Sequence, residues 1–367
     1  SYGAAWGSLK EWSIIVACWP ARARAWLYKS RARTRLVRHT TQSHSQLPLH
    51  NLLSNLFHIT MKASIISTAL LATAASAAPA LVKRQSSDID GVILNYALTL
   101  EHLEANFYRE ALAKFSAADF AAAGFNDTNF YKNLQEVGRD EQTHVDFLTT
   151  ALKGAGVTPV AACTYDFGNL TPATFLATAS IIEGVGVSAY LGAAALITNK
   201  AYLTAAGSIL TVEARHNAFI RGNLEMSPFP QPFDVPLDFD QVYSLAAPFI
   251  KACPASNPTL PVKAFPSLSV GKDVQMPIMQ GETIEFDVAA DMKVPSGPLF
   301  VAFPLATGTM FSSAVVKDCK VYARIPVSIY GPTGESFAIL TTNSTVVNDD
   351  NTVAGPAVVE VMSSYLA

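Results

Sequence analysis

Two Glu-x-x-His tetrads constrain this chain more than any other feature: Glu141-Gln142-Thr143-His144 and Glu213-Ala214-Arg215-His216. Residues three apart share one face of a helix. Each tetrad therefore presents a carboxylate and an imidazole at one point, provided its segment is helical and that face turns inward. Twelve Glu among residues 85–367 make a Glu three positions before any given His a rare coincidence, and it occurs at two of the three His there.

The surrounding pattern predicts helices. Ile93, Ala97, Leu100, Glu104, Phe107 and Ala111 recur at intervals of three and four, one face of a first helix. The turn residues Gly124-Phe125-Asn126-Asp127 follow, and Asp127 or Thr128 can cap a second helix over residues 129–153. Gly154-Ala155-Gly156 is a helix-stop signal. Thr171-Pro172 reads as a cap followed by Pro at the first helical position of a third helix. Asn199-Lys200 breaks it from a fourth, which ends before Pro228. A 25-residue helix is about 38 Å long. The connection over residues 155–170, extended, reaches about 50 Å. It can run the length of a bundle and start the third helix parallel to the second. Four helices with one long crossover is the ferritin-like topology.

The first helix carries Glu101 and Glu104, and the third carries Glu183, its one acid, inside an apolar run. One Glu from each of two helices plus Glu-x-x-His from each of the other two is the ligand set of di-iron and di-manganese carboxylate bundles. The expected ligands are Glu101, Glu141, His144, Glu183, Glu213 and His216, with Glu104 as the alternate to Glu101. The expected cofactor is two Fe or two Mn ions, with open positions for peroxide or oxygen. An unpartnered Glu183 among Ile181, Ile182, Val185 and Val187 would be costly to bury. Glu101 stands seven residues before Tyr108, and Glu183 seven before Tyr190. That match pairs Glu101 with Glu183 and Glu104 with Gly186, which favours Glu101. Tyr108 and Tyr190 either hydrogen-bond near the site or pack the core. Asp140 either orients a ligand His or is solvated. His102 lies off the inward face.

Composition splits the chain. Residues 1–60 hold eight Lys/Arg against one acid and all four Trp, whereas residues 85–367 hold 15 Lys/Arg against 28 Asp/Glu. Met61-Lys62, an apolar run and Ala75-Ser76-Ala77 make a secretory signal peptide. Lys83-Arg84 adds a dibasic processing site. The expectation is upstream, non-native translation over 1–60, signal peptide and propeptide over 61–84, and a mature chain from about Gln85. A basic nucleic-acid or targeting arm is the alternative for 1–60. The acidic mature chain repels phosphate, so nucleic acid is not an expected partner. No mature membrane span is expected, since the apolar run 181–197 carries Glu183 and three Gly. Secretion favours a disulfide, expected between Cys163 and Cys253, and leaves Cys319 over. The sequons at Asn126, Asn169 and Asn343 fit glycosylated surface loops.

Beyond Pro-rich residues 227–270, which include a short amphipathic helix near 241–251, the pattern turns to short alternating runs at 283–288, 299–303, 320–329, 337–342 and 358–362. The expected architecture is α+β and multidomain: helical over 85–260, with a small antiparallel β domain, a sandwich, over 261–367.

Leu100-Glu101-His102-Leu103-Glu104-Ala105-Asn106-Phe107-Tyr108, Ile182-Glu183-Gly184-Val185-Gly186 and Val212-Glu213-Ala214-Arg215-His216 resemble the secreted ferritin-like domain family. That family includes plant desiccation-related proteins and fungal stress- and starvation-response proteins. The resemblance covers residues 88–260, and the β region is loosely similar to the fungal members' C-terminal extension. It implies a di-metal bundle and a role in stress, drying or nutrient response, without an established reaction. Asp140 replaces the more usual Glu of Glu-Glu-x-x-His. Three functions compete: a secreted di-metal redox protein, catalase-like or an oxidase; a non-catalytic extracellular or cell-wall protein using the bundle as scaffold and the β domain for binding; and iron storage. The expected partners are metal ions, peroxide or oxygen, and a second copy of the chain or a cell-wall component.

Overall fold

The computed structural model describes residues 89–289 and 292–363. The expected upstream segment, signal peptide and propeptide lie outside the described residues.

The helices are α1 (Ile89–Lys114), α2 (Ala117–Ala122), α3 (Phe130–Gly154), α4 (Pro172–Ala194), α5 (Lys200–Asn223) and α6 (Phe239–Ala246). Their ends follow local chemistry. Thr171 and Thr174 cap each other's backbone N–H at the start of α4, and Pro172 occupies the first helical position, where no N–H is needed. Asn199 Oδ1 accepts from the N–H groups of Ala201 and Tyr202 at the start of α5. Gly156 takes a left-handed φ of 72° just beyond α3, as a chain leaving a helix often requires. Two expectations need correction. Asp127 and Thr128 do not cap α3; its N-cap is Asn129, and Asp127 Oδ1 accepts from the Asn129 N–H instead. The Ser116–Asp119 capping box also starts a short helix, α2, where only a loop was expected.

Helix α1 packs on α3, and α4 on α5. On α3 the buried stripe is Phe130, Leu134, Val137, Glu141, His144, Val145, Leu148 and Leu152. The tetrad thus shares the apolar face that drives packing. One end of the domain is closed by fully buried Phe107, Tyr108, Phe120, Phe130 and Phe175. Each such side chain contributes roughly 1.5–3 kcal/mol by leaving water.

The connection from α3 to α4 runs beside α1. Asn95 Nδ2 donates to Thr158 O and Asn95 Oδ1 accepts from Val160 N–H. His102 Nε2 meets Val160 O at 3.2 Å, and Lys114 Nζ donates to Leu170 O. These contacts track α1 from near its start to its last residue. Within the connection β1 (Thr164–Tyr165) pairs with β2 (Ile250–Ala252), and Cys163 is disulfide-bonded to Cys253.

Eight further strands are β3 (Leu268–Val270), β4 (Ile278–Met279), β5 (Thr283–Val288), β6 (Leu299–Phe303), β7 (Met310–Lys317), β8 (Lys320–Arg324), β9 (Gly334–Thr341) and β10 (Thr352–Met362). They form one sheet in the order β3-β5-β8-β7-β6-β9-β10-β4. An antiparallel domain is the expectation; the β10–β4 pair is parallel, so the ladder is mixed. Gly355 N–H donates to Pro266 O, which brings β10 back toward the chain entering β3.

The sheet meets the helices at a buried ion pair. Arg221 of α5, 2% exposed, donates to both carboxylate oxygens of Glu360 at 2.7 and 3.0 Å. Beside it the Glu335 carboxylate of β9 lies over Gly184 of α4, where a Cβ would come within 2.4 Å of both its oxygens.

Candidate metal centre

The four long helices bring seven titratable side chains into one buried space. Glu101, Glu141, Glu183 and Glu213 are 0% exposed, and Glu104, His144 and His216 are at most 8% exposed. His144 Nδ1 lies 3.2 Å from Glu101 Oε2, 3.4 Å from Glu141 Oε2 and 3.2 Å from Glu213 Oε1. His216 Nδ1 lies 2.8 Å from Glu141 Oε1 and 3.3 Å from Glu183 Oε2.

Ligand atoms lying within 4.8 Å of one another fall into two groups: Glu101, Glu141, His144 and Glu213; and Glu141, Glu183, Glu213 and His216. Glu141 and Glu213 belong to both. Each group thus has two shared carboxylates, one carboxylate of its own and one imidazole. Glu104 belongs to neither.

The residues around the groups hold them in place. Tyr108 on α1 donates to Glu183 Oε1 on α4, and Tyr190 on α4 donates to Glu101 Oε1 on α1. The sequence spacing paired each Tyr with the Glu of its own helix; the hydrogen bonds cross between helices. Asp140 Oδ2 lies 3.3 Å from His216 Nε2, so the ring faces the cluster with Nδ1 and Asp140 with Nε2. His102 turns away to Val160 O. Asn126 and Asn169 are exposed and Asn343 is half-buried. Cys319 is an exposed free thiol.

So many buried carboxylates cannot all ionise without cations. Burial raises Glu101 to about 7. Burial, followed by the neighbouring carboxylates, raises Glu104 and Glu213 well above the carboxylate range. Burial also pushes Glu141 upward, but His144 and His216 outweigh it and hold Glu141 at about 2. On His216 burial opposes the charged ring, yet Glu183 and Glu141 raise it to about 11. Protons thus supply the positive charge in the metal-free site.

The donor set fits metal ions. Both oxygens of Glu141 and Glu213, Glu183 Oε2 and His216 Nδ1 are buried without a well-aligned hydrogen bond. Two divalent ions would offset the charge of Glu101, Glu141, Glu183 and Glu213 and engage those atoms. Two imidazoles among the donors favour a transition ion over Mg or Ca, which take oxygen ligands.

Sequence reasoning missed Gly186. A Cβ there would lie 2.9 Å from Glu104 Oε1 and 3.0 Å from Glu213 Oε2. The signal was present in the pairing of Glu104 with Gly186, but it was used only to choose a ligand.

The ferritin-like domain family matches residues 89–226. The chain is also similar to Protein rds1 of Schizosaccharomyces pombe (strain 972 / ATCC 24843), with 29% identity over 182 residues. That alignment covers 50% of this chain and 44% of the relative's length. Residues 89–226 are a ferritin-like helical domain, joined here to a mixed β-sheet region.

Proposed function

We propose that the ferritin-like domain binds two iron or two manganese ions and serves redox chemistry with peroxide or oxygen, in a secreted stress-response protein. The two ligand groups sharing Glu141 and Glu213 carry this reading. Glu101 and His144 would complete one ion's protein ligands, and Glu183 and His216 the other's. Bound there, the ions supply electron exchange with a small oxidant.

The chain's own residues set the conditions. Tyr108 and Tyr190 each hold one oxygen of a terminal carboxylate and leave the other oxygen for a metal. Asp140, as acceptor for the Nε2–H of His216, fixes the tautomer that leaves Nδ1 free to bind. Buried apolar residues of the same helices, among them Leu100, Leu103, Ile182 and Val185, give the carboxylates a low-dielectric setting. Secretion is supported by the disulfide, a bond that persists in oxidising compartments, and by exposed Asn126 and Asn169. The stress-response assignment rests on the sequence resemblance.

Metal analysis of the purified protein tests the reading. It should carry about two Fe or Mn ions per chain and release oxygen from peroxide or consume oxygen. Glu183→Ala and His216→Ala should each lower metal content. Unchanged content in both variants would show that the site is misplaced.

A further inference from the structure

A glycine inside a helix costs about 1 kcal/mol relative to alanine, and α4 carries Gly184 and Gly186 on either side of Val185. Gly184 makes room for Glu335. Gly186 faces Glu104 and the ligand Glu213, and a Cβ there would stand 2.9 Å from Glu104 Oε1 and 3.0 Å from Glu213 Oε2, closer than ordinary side-chain contact. On the other half of the domain the matching position is Glu104 itself, so the site is asymmetric: one side has an extra carboxylate, the other a glycine that leaves that carboxylate room.

Gly186 and Glu104 also border a cavity of about 20 Å³ between α1, α4 and α6, lined by Leu100, Leu103, Val185 and Leu245 among others. A single water needs about 10–15 Å³ measured this way, so the space suits a molecule of about two heavy atoms. Its apolar walls oppose an anion. A second cavity, of about 30 Å³ at Ile93, Ala97, Leu148 and Tyr190, has no Glu or His in its lining. There Tyr190, bonded to Glu101, stands in front of the ligands.

We propose that the cavity at Gly186 is the path by which a neutral molecule the size of peroxide or dioxygen reaches the metal centre, with Glu104 the polar group at its inner end. This rests on the metal-centre reading, so the test measures metal first. The full chain is loaded anaerobically with Fe(II), its iron content is determined, and nitric oxide is used as a neutral diatomic probe. Nitrosyl formation is followed by stopped-flow absorbance. Leu245→Phe, which fills the cavity from α6, should keep its iron and bind nitric oxide at least about tenfold more slowly, a barrier rise of about 1.4 kcal/mol. Leu245→Ala, at a residue outside both ligand groups, should bind it severalfold faster. Iron retained with equal rates in all three proteins would overturn the path and leave the metal centre standing. If Leu245→Phe loses iron, Leu245→Ala decides alone: a faster rate supports the path and an unchanged rate overturns it. A wild-type chain that takes up no iron would overturn the metal-centre reading and the path with it.

Discussion

Glu183 is fully buried, with Ile182 and Val185 beside it on α4, and its Oε2 has no well-aligned hydrogen bond, only the His216 ring at 3.3 Å. A lone carboxylate in that position would be protonated or displaced, so its retention needs a nearby cation. Without metal, that role falls to protons on neighbouring groups, which makes the site pH-dependent. Burial raises Glu101 to about 7, above its unfolded value. Burial opposes charge on His216, but Glu183 and Glu141 raise it to about 11, also above its unfolded value. In both cases the folded, metal-free protein holds protons that the unfolded chain has released. Its stability should therefore fall as pH rises from about 5 to about 8. Metal displaces those protons and binds better as pH rises. Thermal melts should show the gap between loaded and metal-free Tm widening over that range; a constant gap would contradict this. Much of the residue-level arrangement was legible in advance. The tetrads and the Glu–Tyr spacing of seven follow from helical periodicity within one segment. The Tyr108–Glu183 and Tyr190–Glu101 bonds, and the contacts at Gly184 and Gly186, depend on which helices face each other. No intra-helix period reports that.

At the scale of elements, the junction of α5 with β9 and β10 depends on Arg221. Removing one partner of a buried ion pair leaves an uncompensated charge. Arg221→Ala or Glu360→Gln should lower stability by about 3–5 kcal/mol, measured by chemical denaturation. Glu335 behaves differently. Burial raises its pKa well above the carboxylate range, against the opposing pull of Arg221. Glu335→Gln should therefore leave the denaturation midpoint nearly unchanged, and a large loss would show that the carboxylate is ionised there. The strands were read unevenly. β5 alternates apolar and polar residues and β6 is an unbroken apolar run. β7, MFSSAVVK, has no fully buried residue, so its composition carries little strand signal. β10 contains Gly355-Pro356, which sequence rules treat as a break; its register shifts between Ala354 and Ala357, a bulge that admits the proline within a strand. The sheet's continuity was not legible, because pairing between distant strands leaves no local pattern.

Over the whole molecule, the disulfide joins the crossover to the segment leading into the sheet and closes a loop of 90 residues. Cross-linking so long a loop restricts the unfolded chain, so Cys163→Ser should cost about 2–5 kcal/mol of stability. Helix α4 is long and apolar enough to pass a composition test for a membrane span, yet 72% of its apolar window is buried inside the protein. The same helix carries Glu183, and its apolar character belongs to a core element surrounding a carboxylate. The central claim is that this core holds two metal ions between α1, α3, α4 and α5. Anomalous diffraction at the iron and manganese edges, from crystals grown with each metal, tests it most directly. The account predicts two peaks, one among Glu101, Glu141, His144 and Glu213 and the other among Glu141, Glu183, Glu213 and His216. No peak with either metal, or peaks only elsewhere on the chain, would contradict it.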